Sequence, residues 1–423
     1  MNLFPSLCAA LAVVAYSHSA PAQDLVAVRA GKVWTVSNGI VESAVILIEN
    51  GKITAIGTDL EVPWNATVVD ARNGVVVPTY VLAHSPGGMS GANEQMQNVP
   101  FLTVQDAVDP SSLFFEEALR NGIGAVNVIP GNATLLGGQG MVVRPFGKTV
   151  EDMTIRDRSG LKLSLASGRG NSRMAQMRQL RSVLEDAIGA RREIARQKEE
   201  FDKMKAAGAV KDGETFEVEP DKAKKPVIDL LEKKLRGFLY VPSATELPEV
   251  ERLKQKYDLD LVLVLGPRCY KAADRIAALG YPVVLDDDAI EYTERDPETG
   301  DETVVCQAKV LADAGIEFAI SVSDNLGAPG RYPWWQMATM VRHGVPRDVA
   351  LRSLTSVPAK ILGIDGEAGT IEVGKVASLQ VLTGDPLLAT TWVDQVLLEG
   401  EVVYQRSQDQ RLQHLFGQAE GSK

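Results

Sequence analysis

This chain of 423 residues has only four histidines, and one of them, His84, ends an apolar run. The stretch Gly74 to Gly88, GVVVPTYVLAHSPGG, predicts a buried strand, Val75 to Val81, that hands a single imidazole to a glycine-rich turn. Strands buried on both faces and ending in such loops are where α/β barrels carry their chemistry. The other three histidines are placed less favourably. His18 falls in an apolar leader, His343 in a helical stretch before Gly344, and His414 in a polar tail. An imidazole at a strand end can ligate a metal, act as a base, or simply pack with its nitrogens hydrogen-bonded. Asp324 follows the apolar run Ile316 to Val322 and is the matching carboxylate. It is a candidate general base, a candidate second metal ligand, or a loop cap accepting backbone N–H groups. A catalytic zinc needs three protein ligands and one open position, so His84 and Asp324 alone make an incomplete set.

Other clusters keep two meanings each. Gly137-Gly138-Gln139-Gly140 is either an anion cradle of backbone N–H groups or a tight turn, with Gln139 a pocket candidate. Asp286-Asp287-Asp288 follows an apolar run and is either a site for a hard cation or a solvated strand end. Tyr332, Trp334 and Trp335 follow Asp324 closely, as aromatics lining a ligand pocket or closing it. Cys269 and Cys306 are a candidate disulfide in an oxidising compartment or two buried free thiols.

The elements that must position these groups have two periods. Residues 24 to 73 alternate apolar and polar in short runs separated by Asn38-Gly39 and Asn50-Gly51, an antiparallel hairpin pattern. The pattern returns at Ser378 to Leu382, Val393 to Leu398 and Glu401 to Tyr404, so the two ends are expected to share one small β-sandwich. Between them, strands at Val75 to Val81, Ala125 to Ile129, Leu161 to Ala166, Phe238 to Val241, Leu259 to Leu265, Val283 to Leu285 and Ile316 to Val322 alternate with helical stretches. An eighth strand is expected near Met141 to Arg144. Such alternation indicates a parallel sheet, here a barrel. The charged stretch 191–236 is an expected insertion, either a lid or a solvated excursion, and 407–423 an expected frayed tail.

Composition narrows the class. A formal net charge of −11 argues against nonspecific nucleic-acid binding. Leu7 to Tyr16 is too short to span a bilayer, and Ala20-Pro21-Ala22 resembles a cleavage site. Residues 1–22 are therefore expected to be a signal peptide, with the mature protein exported to the periplasm or secreted. No other window is long and apolar enough for a membrane span.

Several stretches in order resemble the amidohydrolase superfamily, close to its imidazolonepropionase-like members. Glu49-Asn50-Gly51-Lys52-Ile53 resembles the family's opening hairpin, and Val75-Val76-Val77-Pro78 with Ala83-His84-Ser85 its first barrel strand. Ser323-Asp324, Pro358-Ala359-Lys360-Ile361-Leu362-Gly363 and Gly369-Thr370-Ile371-Glu372-Val373-Gly374-Lys375 resemble its last strand, final helix and return. The resemblance implies a (β/α)8 TIM barrel at 75–369 with a β-sandwich from 23–74 and 370–406. It also implies zinc-assisted hydrolysis of non-peptide C–N bonds, with metal-bound water attacking a carbonyl carbon. This chain departs from the pattern where ligands are due. Pro86 stands at the second strand-one position, and Tyr240-Val241-Pro242-Ser243 and Val264-Leu265-Gly266-Pro267 bring no histidine. Lys162 is a conceivable carbamylated ligand, or a surface or core-edge lysine. The expectation is a barrel with a degenerate metal site, His84 and Asp324 as its remnant, no cofactor unless zinc is still held, and a binding or scaffold role. Its partners would be a small molecule at the barrel mouth, a second copy, or an active paralogue. The alternative is an active hydrolase of amides or cyclic amides using His84 and Asp324.

Overall fold

The computed structural model describes residues 25–167, 172–211, 213–286, 290–322 and 332–420. Strands follow one another as β1 (Leu25–Trp34), β2 (Ile40–Glu49), β3 (Lys52–Gly57), β4 (Thr67–Pro78), β5 (Tyr80–Ser85), β6 (Ile123–Val128), β7 (Leu136–Val143) and β8 (Thr154–Ser164). Then come β9 (Gly237–Val241), β10 (Leu261–Leu265), β11 (Val283–Leu285), β12 (Glu291–Arg295), β13 (Glu302–Cys306), β14 (Phe318–Ile320), β15 (Leu379–Leu382), β16 (Val393–Leu398) and β17 (Glu401–Gln405).

Both ends of the chain do enter one sheet, of seven strands in the order β17-β16-β15-β4-β1-β2-β3. Period-two alternation drives it: Ala44, Ile46 and Ile48 of β2 point inward to Val28, Ile53, Leu379, Val381 and Leu397. The Asn50-Gly51 hairpin forms as its sequence demands, with φ of 51° and 76°. The sheet curls until this turn meets the C-terminal strands. The Ala377 N–H donates to Gly51 O at 2.8 Å and the Ile53 N–H to Lys375 O at 2.9 Å.

The second sheet has eight strands in the order β14-β11-β10-β9-β8-β7-β6-β5 and is a nearly closed barrel. Its seam, between β14 and β5, is bridged by one short segment. The Ile320 N–H donates to Ser353 O at 3.1 Å and the Val81 N–H to Leu354 O at 2.7 Å. Much of the interior is apolar and tight, with Val81, Ala83, Ala125, Val142, Phe238, Val262, Val264, Val284 and Ala319 packed together.

Three expectations need correction. The apolar run from Val75 to Val81 is two strands rather than one. Val75 to Pro78 pair with β15 in the terminal sheet, and the barrel begins at Tyr80. Pro78 has no N–H to continue a ladder, and the Thr79 N–H turns to Ser378 O. Apart from Thr79 the run is apolar because it is buried in two successive sheets. Second, the eighth strand expected near Met141 to Arg144 is β7, and it runs antiparallel to both β6 and β8. Only residues 129–135 separate it from β6, too few for a crossover helix. Third, the tail beyond Gln405 is not frayed throughout. Asp409 accepts the N–H groups of Arg411 and Leu412 to start a helix, Gln410–Glu420, and accepts from Arg120 Nε at 2.7 Å.

A helix of 34 residues, Arg173–Ala206, packs through Gln176, Met177, Leu180, Leu184 and Ala187, and its later turns are largely exposed. Beyond residue 224 the charged stretch is core again: Pro226, Val227, Ile228 and Leu230 are buried in the helix Lys225–Leu231. No helix among the described residues is long and apolar enough to cross a membrane.

Candidate functional site

One lysine, on β8, faces into the barrel. Lys162 pairs in register with Phe238, so it shares the interior face with that ring and is fully buried. A surface or core-edge lysine was the sequence expectation. The signal against it was a cation set within the apolar run Leu161 to Ala166. Gly137 makes room for it, since a Cβ there would lie 3.2 Å from Lys162 Cβ and from Pro130 Cβ.

Lys162 Nζ meets two groups at 2.6 Å, His84 Nε2 and Asn132 Oδ1. His84, 1% exposed at the end of β5, directs Nδ1 to Asp286 Oδ1 at 3.2 Å. Asn132, in the β6–β7 connection, donates from Nδ2 to Asp286 Oδ2 at 2.7 Å. A carboxylate only accepts, so the His84 proton sits on Nδ1 and Nε2 offers its lone pair to the lysine. The four side chains therefore form a directed ring. Donation runs from Lys162 through His84 to one oxygen of Asp286, and through Asn132 to the other. The carriers are themselves braced. Ser164 Oγ donates to Asn132 O at 2.6 Å, and Ser321 Oγ donates to His84 O at 3.1 Å. The Tyr240 ring lies 5.7 Å from Nζ.

The charges agree with this pattern. Burial pulls the Lys162 ammonium down to about 7, and Asp286 opposes that fall. Burial and the neighbouring Lys162 keep the His84 imidazole below its usual value, hence neutral near pH 7. His84, Lys162 and Asn132 together outweigh burial and hold the Asp286 carboxyl well below the ordinary carboxylate range.

Asp286 is thus a central member of the site and not a solvated strand end; the sequence signal was its position, directly after β11, as His84 ends β5. Asn132 carried no sequence signal beyond its turn, Pro130-Gly131-Asn132. Asp324 lies outside the described residues. Gln139 stands in strand β7, not in a tight turn, and its amide is committed to Pro100 O at 3.0 Å and Arg158 Nε at 2.5 Å. Ser85 caps the Gly87 N–H at 3.1 Å. Tyr332 and Trp334 stack with centroids 6.2 Å apart and line a cavity of about 380 Å³ with Arg120, Trp392 and Leu415. The described lining of that cavity includes none of His84, Lys162 or Asp286. Trp335 instead packs on the barrel core. His343 Nε2 pairs with Glu291 Oε2 at 2.5 Å. Cys269 and Cys306 are both buried and form no disulfide, and Cys269 Sγ donates to Val241 O at 3.4 Å.

These donors do not fit a zinc ion. No group of three His, Cys, Asp or Glu side chains converges among the described residues. Both ring nitrogens of His84 and both oxygens of Asp286 are committed within the ring.

The architecture is an α/β barrel with a polar cluster gathered from β5, the β6–β7 connection, β8 and the end of β11, beside a sheet made from both ends of the chain. The chain matches the Amidohydrolase family over residues 75–403 and belongs to it. It is 25% identical over 393 residues to the amidohydrolase tasK of Hapsidospora irregularis, covering 84% of this chain and 39% of that protein. The chain thus spans about two-fifths of the length of that curated relative. An amidohydrolase from Thermotoga maritima MSB8 superposes with a TM-score of 0.77 at 25% identity, over 90% of this chain and 100% of that one. A Xaa-Pro dipeptidase with methionine in its active site superposes at 0.51 with 15% identity, over 90% and 100% of the two chains, a likeness of fold alone.

Proposed function

We propose that this amidohydrolase-family chain, of the imidazolonepropionase-like kind, does not run zinc-assisted hydrolysis of C–N bonds and instead binds a ligand or partner through its barrel. One observation carries this reading: both nitrogens of His84 are committed, to Lys162 and Asp286, within a ring that satisfies itself. A hydrolytic zinc must hold an open position for water, and the described donors leave none. The leader at residues 1–22 supports an exported protein, and the curling terminal sheet supports the sandwich that the family resemblance implies. The test is metal analysis of the purified protein after dialysis and zinc readdition. Protein with no more than trace metal is expected, and stoichiometric, tightly held zinc overturns the reading.

The His84–Asp286 hydrogen bond favours one second reading, a metal-independent amidase in which Asp286 orients His84 as a base. Its family and its relatives' names support amide hydrolysis as such. It requires turnover on a panel of amides and cyclic amides that is lost in His84→Asn. No turnover by the unaltered protein across that panel removes it.

A further inference from the structure

The cup around Lys162 Nζ is held in place by groups other than Lys162. His84 is fixed by Asp286 through its ring and by Ser321 at its carbonyl, and Asn132 by Asp286 and Ser164. What these anchored groups turn toward Nζ is acceptor only: one imidazole lone pair and one amide oxygen, each at 2.6 Å, backed by one carboxylate and flanked by the face of Tyr240. Acceptors on two sides, an aromatic face and a net negative charge behind them are how proteins recognise primary ammonium ions. We propose that the barrel centre is a built cation site whose occupant is the side-chain ammonium of Lys162, and that shortening Lys162 converts it into a receptor for small primary alkylammonium ions. This rests on the reading of the barrel as metal-free.

The geometry sets the selectivity. Each of the two acceptors needs an N–H directed at it, which ethylammonium supplies and tetramethylammonium, with the same charge, does not. The alkyl part would occupy the apolar channel vacated by the lysine stem, beside Gly137 and Phe238.

The experiment follows thermal unfolding of the full chain, unaltered and as Lys162→Ala, in ethylammonium chloride, tetramethylammonium chloride and sodium chloride of equal ionic strength. A ligand that binds only the folded state raises the midpoint in a saturable way. The expected result is a saturable rise for Lys162→Ala in ethylammonium alone, with the unaltered protein unmoved. Equal responses of the two proteins, no rise in the variant, or a rise equal to that in tetramethylammonium each overturn the proposal. Should Lys162→Ala not fold, heteronuclear spectra of the unaltered protein decide it. A lysine ammonium resonance protected from exchange and lost in Lys162→Met supports the site, and its absence at mildly acidic pH refutes it. Zinc found tightly held in the unaltered protein would sink the functional reading. Metal-free protein without ethylammonium rescue would sink the cation site alone.

Discussion

Replacing Asp286 by Asn removes the charge that closes the ring while keeping the side chain's size. Two consequences follow from the geometry. The amide can accept from His84 Nδ1 or from Asn132 Nδ2, and whichever partner faces its NH2 group is left donor against donor. That mismatch costs about 1–3 kcal/mol, the usual penalty of an unsatisfied buried polar group. Lys162 also loses its counter-charge, and breaking a buried pair by removing one partner costs about 3–5 kcal/mol when the survivor stays charged. The survivor here has an escape, because its ammonium already titrates at about 7. Above that pH the amine is neutral in both proteins and only the mismatch remains. Below it, the unaltered protein keeps the proton and the variant must either bury an unpaired ammonium or give the proton up. The destabilisation of Asp286→Asn is therefore larger at about pH 6 than at about pH 9, by up to about 1.4 kcal/mol, the worth of the one unit between pH 6 and the lysine's value of about 7. Urea unfolding of both proteins at the two pH values measures it. A penalty independent of pH, or one below about 1 kcal/mol at both, refutes the charged ring.

Other outcomes follow from the same coordinates. In the unaltered protein Lys162 has a folded value of about 7 against 10.5 unfolded, so the unfolded chain binds more protons between them; stability should rise with pH across that window, and Lys162→Met should flatten the rise in urea titrations. Gly137→Ala should cost about 1–3 kcal/mol in unfolding free energy, because its methyl would press on Lys162 and Pro130 at 3.2 Å. Asp409→Ala should release the helix Gln410–Glu420 from Arg120, seen as protease cleavage near residue 409 at lower doses with the barrel intact.

Much of the architecture was legible from local pattern. Alternation with Asn-Gly turns marked the terminal strands, and apolar runs between helical stretches marked the barrel. Glycines after helices marked strand entries, and Gly122 and Gly280 do take φ of 76° and 65°. The errors have a common source. Apolarity records burial without naming the partner, so the Val75 to Val81 run concealed a passage between two sheets, and β7 concealed its direction.

The site divides in the same way. By itself the sequence determined that His84 ends an apolar barrel strand and that Pro86 stands two positions after it, and it supplied only four histidines in the whole chain. Which groups meet His84 was decided only by closure of the barrel. Lys162 lies 78 positions along the chain, on β8, and Asp286 202 positions along, directly after β11. Strand order and the inward parity of β8 bring them together, and neither is a property of any local segment. The interior then sets the chemistry: with water excluded, an acceptor-lined cup needs a cation, and the lysine of the fold itself provides it.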